Sequence, residues 1–237
     1  PAWCTLALSM PEPDTRWLDA FLDGFSSLAA QHGIALVGGD TTRGPLSVCV
    51  TAHGFVEPGH ALRRDGARVD DTVWVTGMLG DAAGALRQWR AGTDIDPAFC
   101  ARLQRPTPRI AIGRALGALA TACIDISDGL LADLGHIAHA SDVGIVIAID
   151  DLPRSSAFSD AFDEHACREL AASGGDDYEL CFTAPTDADA QLSGIAEATQ
   201  TRLTRIGRVV AGKGVTACDA AGVEWISQRN GYDHFAA

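Results

Sequence analysis

"CIDISDGLLADLGHI", Cys123–Ile137, sets two aspartates, Asp125 and Asp128, where a short apolar run gives way to a helical pattern. Leu130, Leu134 and Ile137 recur at helical spacing behind them, so the stretch reads as strand, loop, helix. Ser127 and either aspartate are good helix N-caps, because their oxygens accept bonds from first-turn N–H groups. One such group suffices for a cap. Two carboxylates and a hydroxyl exceed it, and a cation that draws the carboxylates together would use the surplus. Capping and metal binding both account for this stretch, and the rest of the chain has to choose between them.

Outward from it, strands and helices alternate. "TLALS" (Thr5–Ser9) reads as a buried strand, and a helix follows with Trp17, Phe21, Phe25 and Leu28 on one face. "GIALVGG" reads as a strand ending in glycines, "DTTRGP" as a loop, and "LSVCVTAHGF" as a strand. "VEPGHALRRDGARVDD" has few apolar anchors and reads as a link. Beyond it, "DTVWVTGML" is a strand and "GDAAGALRQWR" a helix. "RPTPRIAIGRALGALATA" is a helix after proline punctuation, and "GIVIAID" is a strand. "EHACRELAASGGDDYELCFTA" gives helix, glycine turn and strand; "ADAQLSGIAEAT" is a helix, and "TRIGRVVAGKGVTAC" a strand with a glycine turn. The class is α/β or α+β.

Acidic residues follow glycines at Gly38–Asp40, Leu79–Asp81 and Gly174–Asp177. A single Gly-Asp is usually a turn. Three of them beside Asp125 and Asp128 suit a nucleotide phosphate site, with glycine N–H groups near the anion and carboxylates on a magnesium ion. There is no GxxxxGK[ST] loop and no protein-kinase signature set. Asp81, at a helix start, reads as a cap. His136 and His139 share one helix without a third ligand and read as surface or packing residues. Arg43, Thr41 and Thr42 read as loop residues.

The 237 residues carry 18 Lys and Arg against 31 Asp and Glu, a net charge of −13. That balance argues against nonspecific nucleic-acid binding, which needs a basic footprint. It is compatible with an anionic small molecule if divalent cations intervene. The seven cysteines are odd in number and lack CxxC spacing, so they read as small core residues of a reduced, cytoplasmic protein. No apolar run reaches membrane-spanning length, so no membrane partner is expected. The opening "PAWCTLALSMP" heads straight into a strand, as if the chain were entered partway through its first domain.

At "LVGGDTTRGPLSVCVTAHG" and "RRDGARVDDTVWVTGMLGDAAGAL" the sequence closely resembles the thiamine-monophosphate kinase family. The resemblance continues through "RPTPRI", "IDISDGLLADLGHI", "SGGDDYELCFT" and "RIGRV" to "GYDHFA", almost the whole chain. The wider superfamily includes aminoimidazole ribonucleotide synthetase, selenophosphate synthetase and a hydrogenase-maturation protein. The resemblance implies a two-domain α/β (α+β) architecture of the aminoimidazole ribonucleotide synthetase type. Residues 1–57 would be the remainder of an N-terminal ATP-binding and dimerisation domain. Residues 58–237 would be a C-terminal domain of mixed sheet and helices that completes the active-site cleft.

It also implies transfer of the γ-phosphoryl group of ATP to thiamine monophosphate, several Mg²⁺ ions, and a homodimer. Gly39 and Asp40 match residues that meet ATP and magnesium; Arg64 and Ser127 match ATP contacts. Asp125 and Asp128 match magnesium ligands, and Asp176 and Tyr232 match the thiamine-phosphate site. No side chain is expected to act as a general base. Position 176 is Asp where the family commonly has Glu. The family's leading segment, with further magnesium ligands and a substrate-contacting histidine, lies outside this sequence, so part of the constellation is expected here. The competing readings are another ATP-using superfamily member with a different acceptor, and a fragment that holds nucleotide without transferring phosphate.

Overall fold

A computed structural model describes residues 1–228 and divides the chain into two compact units, Pro1–Pro58 and a second beginning at Gly59. The first unit is a three-stranded sheet of order β2-β1-β3. Its centre, β1 (Trp3–Met10), runs parallel to β2 (Ala35–Arg43) and antiparallel to β3 (Ser47–His53). Helix α1 (Thr15–Gln31) joins β1 to β2, capped by Asp14, whose carboxylate accepts from Trp17 N at 3.0 Å. Alternate β1 residues Leu6, Leu8 and Met10 are buried against Leu18, Phe21 and Leu22. The helix thus meets the core along a different flank from the expected one. Phe21 is common to both, whereas Trp17 and Leu28 are exposed. Trp17, Phe21 and Phe25 stack along the helix instead, with centroids 5.3 and 6.1 Å apart.

β2 also differs from expectation: it runs through "GGDTTR" to Arg43 rather than ending at the glycines. Continuous parallel pairing with β1, up to Met10 with Arg43, carries it, and Thr41 and Thr42 are β-branched strand formers. The register shifts at Val37, and Gly39 follows at φ 145°. A Cβ on Gly39 would lie 1.8 Å from the Leu6 carbonyl oxygen, so glycine is required there by the neighbouring strand. Asp40 is therefore a strand residue, exposed, with its carboxylate accepting from Thr41 N at 2.8 Å.

The second unit holds a seven-stranded sheet of order β10-β9-β6-β8-β4-β7-β5. Its strands are β4 (Thr72–Thr76), β5 (Ala122–Asp125), β6 (Gly144–Ala148) and β7 (Leu180–Ala184). β8 (Leu203–Val210), β9 (Gly214–Cys218) and β10 (Glu224–Trp225) complete it. Its helices are α2 (Asp81–Ala91), α3 (Pro97–Gln104), α4 (Ile110–Leu116), α5 (Leu130–Ser141), α6 (Ser156–Ala161), α7 (Glu164–Ser173) and α8 (Asp189–Thr199). Strand alternation feeds two cores. Val73, Val75, Ile124 and Ile145 pack with Leu130, Leu134 and Ile137 of α5 and Ala171 of α7. Trp74, Cys123 and Phe182 point to the other face, against Ile112 and Leu116 of α4 and Leu192 of α8. A third cluster of Phe99, Phe158 and Leu170 joins α3, α6 and α7.

Three details correct the sequence reading. α4 is shorter than its run of alanines and leucines suggests, stopping before Gly117. The stretch expected as a strand with a glycine turn is two strands, β8 and β9, which flank β6. The link before β4 is partly structured, since Cys123 N donates to Arg63 O at 2.6 Å and so extends the edge beyond β5. Cys4, Cys123, Cys167 and Cys181 are buried as expected, and burial pushes the Cys123 thiol up to about 12. Cys49, by contrast, is exposed on β3. Among the described residues no helix is long and apolar enough to cross a membrane.

Leu134 is fully buried under the loop that carries Asp125 and Asp128. Leu134→Ala is expected to cost about 2–5 kcal/mol of stability, read from urea unfolding, since the leucine's lost transfer energy adds to a cavity. A loss below about 1 kcal/mol would show that this core does not support the loop.

Candidate functional site

β7 runs antiparallel to both of its neighbours, β4 and β5. The ends of β4 and β5 and the start of β7 therefore share one end of the sheet. Asp125 is the last residue of β5 and pairs with Leu180, the first of β7. The pairing continues past both strands. Ile126 N donates to Glu179 O at 2.8 Å, Tyr178 N to Ile126 O at 2.9 Å, and Asp176 N to Ser127 O at 3.0 Å. Two acid-bearing loops, 125–129 and 174–179, are joined backbone to backbone.

Helix α5 does not begin on Ser127 or Asp128. Its N-cap is Gly129, at φ 117°, with no side-chain cap bond. A Cβ at Gly129 would lie 2.8 Å from the Ser173 carbonyl carbon at the end of α7, so the loop needs glycine to pack there. The loop is held from the helix side instead. Asp133, buried on α5, accepts from Ser127 N at 3.0 Å and Asp128 N at 3.1 Å. Burial raises the Asp133 pKa, the two N–H bonds oppose that, and the charges of Asp128 and Asp125 raise it further. Asp125 is exposed and Asp128 half-buried, and among the described residues neither carboxylate has a hydrogen-bond or ion-pair partner. The capping alternative is thus not realised, and the two carboxylates are left over.

The second loop is anchored by Glu179, which is fully buried. Its carboxylate accepts from Thr76 Oγ1 at 2.6 Å and Arg102 Nη2 at 2.7 Å. Arg109 binds it with Nε and Nη2, each at 2.5 Å. Such bidentate, charge-assisted bonds fix orientation as well as adding energy. Arg102 also donates to the Asp177 carbonyl at 3.2 Å. Asp177 is buried and accepts from Gly80 N at 3.1 Å with each oxygen, which ties the turn at Leu79–Asp81 to the loop. Burial raises the Asp177 pKa well above the ordinary range, against the Gly80 bond and Arg102. Asp81 is no cap of α2. Its carboxylate accepts from Ser155 Oγ at 2.7 Å, and burial raises its pKa too.

Beside β5, a cleft of about 500 Å³ is lined by Arg63, Arg64, Asp65, Asp125 and Leu180 among others. Arg63 is taken by Asp65. Arg64 is exposed, its backbone held by Ser141 Oγ donating to its carbonyl at 3.0 Å. Of the expected site residues, Arg64, Asp125, Ser127, Asp128 and Asp176 therefore gather at one end of the second unit's sheet. Gly39 and Asp40 belong to the first unit, and Tyr232 lies outside the described residues. His136 and His139 are exposed. Among the described residues no three His, Cys, Asp or Glu side chains form a metal-holding cluster, so the second unit offers a pair of carboxylates rather than a closed set.

Sequence reasoning passed over Asp133, Glu179, Arg102 and Arg109, and took Asp177 as part of a glycine turn suited to phosphate, whereas it is a buried acceptor for Gly80 N. Asp133 had a readable signal, because it sits inside the apolar spacing of α5, where a carboxylate must bond something. The arginines had none, because their bonds to Glu179 span 77 and 70 residues of chain.

The chain matches the family described as AIR synthase related protein, with the N-terminal domain over residues 1–56 and the C-terminal domain over 68–219. It is 42% identical to a thiamine-monophosphate kinase of Salmonella typhimurium over 248 aligned residues, covering 100% of this chain and 74% of that protein. A crystal structure of thiamine-monophosphate kinase from Stenotrophomonas maltophilia is 54% identical, with a TM-score of 0.88 over 92% of this chain and 72% of that one. AaThiL, complexed with AMPPCP and TMP, is 30% identical, with a TM-score of 0.79 over 99% and 74%. The chain belongs to the thiamine-monophosphate kinases of the AIR synthase-related family.

Asp177 yields a pH prediction. Its folded-state pKa is raised, so its contribution to stability is full below the ordinary carboxylate value of about 3.9 and drains away as pH rises through the raised value. Asp177→Asn keeps an acceptor for Gly80 and removes the buried charge. Between about pH 4 and about 7 the variant is expected to gain stability relative to the parent, followed by urea midpoints. Parallel midpoint profiles would show that Asp177 ionises in the fold at no cost.

Proposed function

We propose that the protein transfers the γ-phosphoryl group of ATP to the phosphate of thiamine monophosphate, giving thiamine diphosphate and ADP. The observation that carries the reading is the pair of unpartnered carboxylates, Asp125 and Asp128, on one loop, with Asp125 lining a cleft shared with Arg64. Asp125 and Asp128 raise the pKa of Asp133 and of Tyr178, and a bound Mg²⁺ would offset that charge. Asp125 and Asp128 would hold the metal in the second unit. Once bound, Mg²⁺ supplies charge neutralisation on the phosphates.

The chain's own part is positioning. Arg64 and Ser127 would contact the nucleotide, while Asp176 would contact the thiamine moiety. An acceptor phosphate oxygen forms its bond to the γ-phosphorus as the bond to the β,γ-bridging oxygen breaks. The acceptor is already anionic near neutral pH, so no strong base is needed, and geometry with electrostatics carries the rate. Arg64 is a fixed cation for the polyanions. Asp176 is one methylene shorter than the residue common in the family, so the thiamine moiety would sit closer to the loop backbone.

We further infer a homodimer formed through the first unit, whose strand residues Leu36, Val37, Val48 and Val50 are apolar and exposed. The reduced cysteines suit the cytoplasm.

In a chain of the full length of its relatives, Asp125→Asn and Asp128→Asn are each expected to cut turnover by about 100-fold or more. Losing an outer-shell partner of a metal already costs about 10–100-fold, and a ligand should cost no less. The unfolding midpoint should stay near the parent's, because neither carboxylate has a partner to lose. Near-normal turnover at limiting Mg²⁺ in either variant would remove that residue from the site.

A further inference from the structure

Tyr178 stands out in the loop that carries Asp176. It is one of only two tyrosines in the chain, and its side chain is 43% exposed at the end of the sheet where the site residues gather. Its backbone is left-handed, at φ 48°, a conformation uncommon for a bulky residue. That conformation is fixed from both sides. Tyr178 N donates to Ile126 O, between Asp125 and Ser127, and the next residue is the clamped Glu179. Asp177 on the other side is buried and bonded to Gly80. The ring therefore leaves a rigid backbone toward solvent beside Asp125, Asp128 and Asp176. Burial raises the phenol's pKa, and those three carboxylates raise it further.

We propose that Tyr178 is a specificity residue that presents its ring face to the positively charged ring of the phosphate acceptor. The inference rests on the phosphoryl-transfer reading above. An aromatic face attracts a cation through its quadrupole, and the Asp176 carboxylate, hydrogen-bonded to the phenol, favours a cationic ring over a neutral nucleobase. Arginine or lysine contacts with the acceptor's phosphate cannot make that distinction, because ATP carries phosphates as well. Tyr178 would thus tell acceptor from donor at the ring rather than at the phosphate.

The test uses the full-length protein, with ATP and thiamine monophosphate varied separately. Tyr178→Asn removes the ring but tolerates a left-handed backbone, so folding should survive. Its KM for thiamine monophosphate should rise about 3- to 30-fold, the range of a lost cation–ring contact, while the KM for ATP stays within about twofold. Tyr178→Phe should restore the acceptor KM. An unchanged acceptor KM in Tyr178→Asn, or a rise in the ATP KM instead, would overturn the assignment. So would failure of Phe to restore the acceptor KM, because a ring alone would then be insufficient. The parent, run alongside, separates the two claims: if it forms no thiamine diphosphate the phosphoryl-transfer reading fails, and if it turns over while Tyr178→Asn keeps the parent's acceptor KM, only the tyrosine's role fails.

Discussion

The buried carboxylate of Glu179 is the constraint on which the end of the large sheet depends. It gathers a hydroxyl from the end of β4, a guanidinium from α3 and another from the residue before α4. Removing one partner of a buried ion pair leaves an uncompensated charge and costs about 3–5 kcal/mol, so these elements cannot move apart cheaply. Through its backbone carbonyl the same residue holds Ile126, and through Arg102 it reaches the Asp177 carbonyl. Loops 125–129 and 174–179 are therefore rigid relative to each other before any ligand arrives. A phosphoryl transfer without a general base requires that condition, because its rate comes from alignment and preset charge.

Partnered and unpartnered carboxylates divide the labour. Asp133, Asp177 and Glu179 are buried, bonded and structural. Asp125 and Asp128, a few residues away, are left without partners among the described residues. With Asp133, Asp177 and Glu179 holding these loops, the fold has no structural need for the other two. In a chain of net charge −13, they repel a polyphosphate unless a cation intervenes. On the proposed reading, a bound cation reconciles the acidic balance with the nucleotide chemistry.

Much of this was legible in the sequence, for reasons that can be named. Leu130, Leu134 and Ile137 declare α5 because a helix buried along one stripe must repeat at that spacing, and all three are fully buried. The excess of carboxylates in "DISDG" was visible as well. Whether they capped the helix was not, because that depends on Gly129 starting it, and Gly129 is required by Ser173 on another helix. The full length of β2 was hidden for a similar reason, since pairing with β1 overrode glycine as a strand terminator. Glu179 read as one acid beside an apolar strand, and only the fold brings Arg102 and Arg109 to it. The family resemblance named the candidate site residues, yet it carried no account of what holds them in place.

If Asp125 and Asp128 bridge a cation to the nucleotide, ATP binding in this acidic site depends on that cation. Calorimetric titration of the full-length protein with ATP, in excess Mg²⁺ and again in EDTA, measures the dependence. Binding should be measurable with Mg²⁺ and lost in the chelator. Equal ATP affinity in both conditions would show that the two carboxylates do not bridge.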